Sequence, residues 1–115
     1  MYKLLAIALL LVGEAFSVYA EMIAAKEHAL ANQSFQTIFI KAFCQMAIAG
    51  ALLIAGYMLG YRSFRNIWMV SALSITSILL MEPLIGYLVF LQIPTRGALI
   101  GLILGAVGFI ATFVL

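Results

Sequence analysis

Three of the four acidic residues in this 115-residue chain, Glu14, Glu21 and Glu82, stand inside or at the edge of long apolar runs. A carboxylate among hydrocarbon neighbours can hold a proton, pair with a cation or hydrate a passing polar group; without such a partner it is costly to keep there. The stretch LLVGEAFSVYAEM (10–22) holds two of them. At helical spacing Glu14, Ser17 and Glu21 fall on one stripe, extended by Leu10, Ala24, Ala25 and His28, and the opposite side is Leu, Ile, Val and Phe. In SILLMEPLIGY, Glu82 directly precedes Pro83, which deprives the Leu79 carbonyl of its usual donor and can kink a helix. Lys41 is set back inside IFIKAFCQM, with a stem long enough to reach Glu82 or Glu21. A purely internal Lys41–Glu82 salt bridge is the alternative to a working pair, and Glu21 and Lys26 also suit a helix end at the membrane interface. Tyr57 and Trp68 can receive a cationic guest on a ring face, or anchor at the interface as Tyr61 and Tyr87 would. His28, beside Glu27, reads as a solvated loop residue, and one histidine makes no metal site.

The elements that must carry these residues are set by hydropathy. The chain is 67% hydrophobic and 9% charged, with mean hydropathy +1.24, too apolar for a soluble domain of this length. Four stretches, about 2–23, 35–60, 67–91 and 96–115, each supply the roughly 20 residues of a membrane-crossing helix. The expected architecture is all-α and integral to the membrane: one domain over 1–115, a four-transmembrane-helix antiparallel bundle with short loops, multi-pass in the cell (inner) membrane. The first segment has a passing likeness to a signal peptide, but its apolar character resumes after Glu14 and continues to Ala25, so retention as a span is expected. A central acid costs roughly 3 kcal/mol on insertion scales, while each flanking Leu, Ile, Val or Phe returns about 0.3–0.6, so this helix inserts with little margin. Counting at about 1.5 Å per residue, Glu14 lies roughly 18 Å in from Lys26, Glu82 about 15 Å from Gln92 and Lys41 about 10 Å from Ser34. That counting places the two glutamates near one midplane level. Lys3, Arg62 and Arg65 on one side, against Lys26 and Arg96 on the other, slightly favour a cytoplasmic N-terminus.

Gly97, Gly101 and Gly105 recur every four residues in the last helix, with Gly108 on the same side. Gly56 and Gly60 form a second pair. Such spacing lets helix backbones approach closely, either within the bundle or between two copies. The six basic residues are scattered and the pI is near 8.9, so nothing points to nucleic acid. A single cysteine, Cys44, excludes a disulfide framework. No nucleophile with a base, metal cluster or phosphate loop is present, so neither an enzyme nor a cofactor is expected.

Glu14 at the centre of the first helix, Trp68 in NIWMVSA, and GLILGAVGF (101–109) together resemble the small multidrug resistance proteins of the drug/metabolite transporter superfamily. The stretch from Glu82 to Ile110 is similar to the closing helix pair of that superfamily's ten-helix members. The likeness is best over residues 66–115. The loop YRSFRN stands where the exporters have a Pro-Thr-Gly turn. The resemblance implies a dimeric, proton-coupled exporter of a small cationic or amphipathic substrate. In it, Glu14 of each protomer would bind proton or substrate in a shared chamber. Lys41, Glu21 and Glu82 are not expected in a simple cation exporter; it is the helical stripe, the depth count and the aromatic types that add Ser17, Glu82, Trp68 and Tyr57 as candidate site residues. Lys41 and Glu21 would be charge partners, and Gly97, Gly101, Gly105 and Gly108 would be dimer or helix-packing positions. Two other functions fit the same residues: a lipid or lipid-linked-sugar flippase subunit, with Lys41 meeting a phosphate, and a non-transporting subunit of a larger membrane complex. The partners expected are the lipid bilayer, a second copy or similar small membrane subunit, and a small-molecule or lipid substrate.

Overall fold

A computed structural model describes residues 2–30 and 34–115. It is all-helical: α1 (Tyr2–Leu30), α2 (Phe35–Phe64), α3 (Ile67–Phe90) and α4 (Arg96–Val114), each long and apolar enough to cross a membrane. Every helix after the first begins at a side-chain cap. Ser34 Oγ accepts from the Thr37 amide at 3.3 Å, Asn66 Oδ1 from Trp68 at 3.0 Å and Thr95 Oγ1 from Ala98 at 3.2 Å, each satisfying an amide that the first turn leaves free. α2 and α3 end at residues in the left-handed region, Arg65 (φ 57°) and Leu91 (φ 57°). Their N–H groups return to the carbonyls of Tyr61 and Tyr87 at 2.9 and 2.7 Å. Glycine usually fills such positions, so both stops cost roughly 1–2 kcal/mol in backbone strain.

The helix starts agree with the sequence reading, but two helix ends do not. α1 runs seven residues past 23 and α2 four past 60. Hydropathy registers only the part of a helix suited to hydrocarbon, and Lys26, Glu27, Arg62 and Ser63 are compatible with helix beyond it. At 1.5 Å per residue α1 and α2 are about 44 and 45 Å long, α3 and α4 about 36 and 28 Å, so the first pair outreaches the roughly 30 Å hydrocarbon layer. His28 therefore lies in α1, not in a loop, with its ring edge-on to Phe35 at 5.5 Å.

α1 is the central element. One face meets α2: Ala6 lies near Gly60, Leu10 against Gly56, and Gly13 against Leu52 and Leu53. At the far end Glu27 pairs with Lys41 and Ala24 and Ala25 face Phe35, Ile38 and Phe39. Contacts thus step forward along α1 as they step backward along α2. A second face meets α3 in matching order: Glu14 with Ser74, Met22 with Gly86, Lys26 with the Val89 carbonyl. α2 approaches α3 at Gly60 and Val70, and among the described residues α4 touches α3 only. The whole is flattened, 48 × 33 × 17 Å.

The interior is made mostly of small residues. Ala6, Ala20 and Ala49 are fully buried, and among the described residues Leu10 and Val70 are the only large side chains to join them. The tightest seam is glycine on leucine. A Cβ at Gly56 would lie 2.9 Å from the Leu10 side chain and 3.3 Å from its backbone nitrogen; one at Gly13 would lie 2.9 Å from Leu53. These glycines let α1 and α2 close to backbone contact, the arrangement expected where lipid supplies no hydrophobic drive between helices. The glycines of α4 behave otherwise. Gly105 rests on Leu79, but Gly97, Gly101 and Gly108 have open space above them, and no residue of α4 is buried.

Candidate functional site at Glu14

Glu14 lies midway along the span between Lys3 and Lys26, on the edge of α1 that faces α3, with only 8% of its surface exposed. Its Oε1 accepts a 2.7 Å hydrogen bond from Ser74 Oγ across the helix interface. Ser17, one turn on, is equally buried, and Ser74 and Ser77 of α3 are 5% and 6% exposed. Among the described residues, Glu14, Ser17, Ser74 and Ser77 are the buried polar members of an otherwise apolar interior, and Glu14 and Ser74 meet across the α1–α3 interface. They differ in what they can still do. Ser77 donates to the Leu73 carbonyl at 2.9 Å and is spent within its own helix. Ser74 instead turns its proton to the carboxylate, leaving Glu14 with a neutral donor and, among the described residues, no cationic partner. A carboxylate so held can gain or lose one proton, or accept one cation, without breaking an ion pair.

Of the stripe read from the sequence, Glu14 and Ser17 are buried as expected, while Glu21 is exposed. The α2–α3 approach at Gly60 and Val70 explains the gradient. The stripe begins beside the closed end of the bundle and runs out towards the opposite end, so exposure rises along it.

Three expected placements are corrected. Glu82 does not share a level or a cavity with Glu14: it is exposed on α3, eight residues or about 12 Å beyond Ser74. Depth counted from loop ends placed it wrongly because α1 continues to Leu30. Lys41 pairs with neither Glu82 nor Glu21; its ammonium lies 3.0 Å from Glu27 Oε1, the lysine side chain 57% exposed and the glutamate 26%. That pair sits at the level where Lys26 donates to the Val89 carbonyl at 2.8 Å, at the end of α3, so Lys41 stands near the rim of the bundle. Trp68, 75% exposed, lines a cleft between α3 and α4 and does not meet Glu14. Tyr57 is half-buried on α2, next to Gly56.

The residue missed by sequence reasoning is Ser74. Its signal was present in SALSITSILL, where serines three apart interrupt an apolar helix; hydroxyls of that kind bond across membrane helices. Ser74 and Ser77 look alike in the sequence, and only the facing of α3 separates the one that bonds to Glu14 from the one that bonds to its own backbone. Comparisons of the chain with family models, characterised proteins and solved structures find no match.

Proposed function

We propose that the chain is a multi-pass protein of the cell (inner) membrane, an antiparallel four-helix protomer that pairs with a second copy. In this reading it moves a small cationic or amphipathic substrate in exchange for protons bound at Glu14. The observation that carries it is the state of Glu14: a buried carboxylate in an apolar helix, held by one serine hydroxyl and free of any ion pair among the described residues. A carboxylate with a purely structural task would be expected to face a lysine or arginine, as Glu27 faces Lys41. Keeping the costly acid uncompensated supports a binding role. Ser74 acts as a positioning residue, fixing one carboxylate oxygen and leaving the other for ligand. The open glycines Gly97 and Gly101 of α4 are the surface on which a second protomer can approach. Alternating access would then come from rocking of two protomers about a fixed site.

Proteoliposomes with an imposed proton gradient test the reading. The hydrophobic cation tetraphenylphosphonium should accumulate against its gradient with the wild-type protein and not with Glu14→Gln. Coupled transport that survives Glu14→Gln would overturn the assignment.

A further inference from the structure

The charged groups at the two ends of the bundle are unlike. At the end formed by the start of α1, the end of α2 and the start of α3, Lys3, Arg62 and Arg65 are all exposed. No carboxylate side chain accompanies them among the described residues: Glu21, Glu27 and Glu82 belong to the other half, and Glu14 is buried roughly 16 Å along α1 from Lys3. Lys3 is held over the Phe64 ring at 5.3 Å instead of by an acid, so its charge is not neutralised. Three residues beyond Arg65 stands Trp68, whose exposed ring is one wall of a cleft of about 330 Å³ between α3 and α4. The rest of the wall, Thr112 apart, is Ser71, Ala72 and Ile75 of α3 with Gly105, Gly108 and Phe109 of α4, apolar but for the one serine hydroxyl. Thr112, its polar member on α4, bonds to the Gly108 carbonyl at 3.1 Å and is therefore satisfied. A second cleft of about 350 Å³ begins one turn deeper along α3, at Thr76 and Leu79, and shares Phe109.

We infer that this cleft binds an anionic phospholipid, one acyl chain lying between α3 and α4 under Trp68 and the phosphate meeting Arg65 and Arg62. The mainly apolar walls suit hydrocarbon, and an exposed tryptophan near a helix end suits headgroup depth. Three cations with no acidic side chain beside them among the described residues select a negative headgroup over a zwitterionic one. The size is at the lower end of ligand-binding clefts, as one chain requires. A second copy's α4 is the competing occupant. Charge complementarity favours the lipid over a copy aligned in the same sense, which would bring three more cations to this end; a copy aligned in the opposite sense is distinguished by the monomer–dimer ratio. The inference rests on the membrane-spanning reading but needs no transport activity.

Trp68 is the only tryptophan in the chain, so its fluorescence reports on the cleft directly. The full-length protein would be reconstituted in vesicles containing phosphatidylglycerol or phosphatidylcholine with brominated chains, at equal mole fraction. Brominated phosphatidylglycerol should quench Trp68 with an apparent affinity about fivefold higher than phosphatidylcholine for each basic residue engaged. In Arg62→Gln/Arg65→Gln the two lipids should become equivalent. Gly108→Leu, whose new side chain enters open space and meets no protein atom within 4 Å at its Cβ, should fill the cleft and weaken quenching by both lipids; Gly108→Val is a smaller filling that should do so less. Equal quenching by the two lipids in the wild type would overturn the site while leaving the membrane reading intact. No quenching by either would overturn both. Quenching that changes in the Gly108 variants only in step with the monomer–dimer ratio would assign the cleft to a second copy and overturn the lipid.

Discussion

The bond from Ser74 to Glu14 joins two side chains that hydrocarbon would penalise separately, and it is the one bond between side chains that crosses the α1–α3 interface among the described residues. Removing the hydroxyl leaves a buried acceptor short of its donor. Ser74→Ala should destabilise the protein by about 1–3 kcal/mol, read as a drop in thermal midpoint in micelles. A Glu14→Gln/Ser74→Ala cycle isolates the pair itself: Ser74→Ala should cost less in the Glu14→Gln background than in the wild type. No change in midpoint for Ser74→Ala would mean the bond contributes nothing. At this scale the sequence was half legible. Glu14 and Ser17 stood out because charge and hydroxyl are conspicuous in an apolar helix. The exposed position of Glu82 was not readable, because beyond Ser71, Ser74 and Ser77 the rest of α3 is apolar all round, and hydropathy alone does not show which way a glutamate further on will face.

Among the helices, the glycines divide into those that hold the protomer together and those that do not. Gly56 and Gly13 sit where α1 and α2 nearly touch, and a methyl group there must displace Leu10 or Leu53. Gly56→Ala and Gly13→Ala should each cost about 1–3 kcal/mol through overpacking. Gly56→Ala is the worse because the Leu10 backbone nitrogen, at 3.3 Å, cannot give way as a side chain can. Gly97→Ala and Gly101→Ala meet nothing within 4 Å and should not lower protomer stability, alanine being the better helix former. Any effect they have should appear in the monomer–dimer ratio, measured by sedimentation in detergent. The four helices and their starts were legible, since apolar runs and the caps Ser34, Asn66 and Thr95 mark them. The ends of α1 and α2 were not, because a helix can continue into water where the hydropathic signal has already stopped. The glycine spacing in α4 likewise reads as a packing motif, yet only Gly105 meets a neighbouring helix.

Taken whole, the molecule is three helices in firm contact with a fourth held at one side. Among the described residues α4 touches α3 alone, and it buries none of its own, so its opening should cost least. Backbone amides of α4 should exchange with solvent deuterium faster than those of α1 in the same micelles; equal protection would show that a partner protomer or a bound lipid secures it. The central position of α1 also bears on how the protein is made. Glu14 and Ser74 are 60 residues apart, and at about 5–20 residues per second a ribosome needs roughly 3–12 seconds to deliver the second after the first. If the chain inserts as proposed above, its first helix would spend that interval with its acid unsatisfied, and a single serine on the third helix would be the group that later supplies the donor.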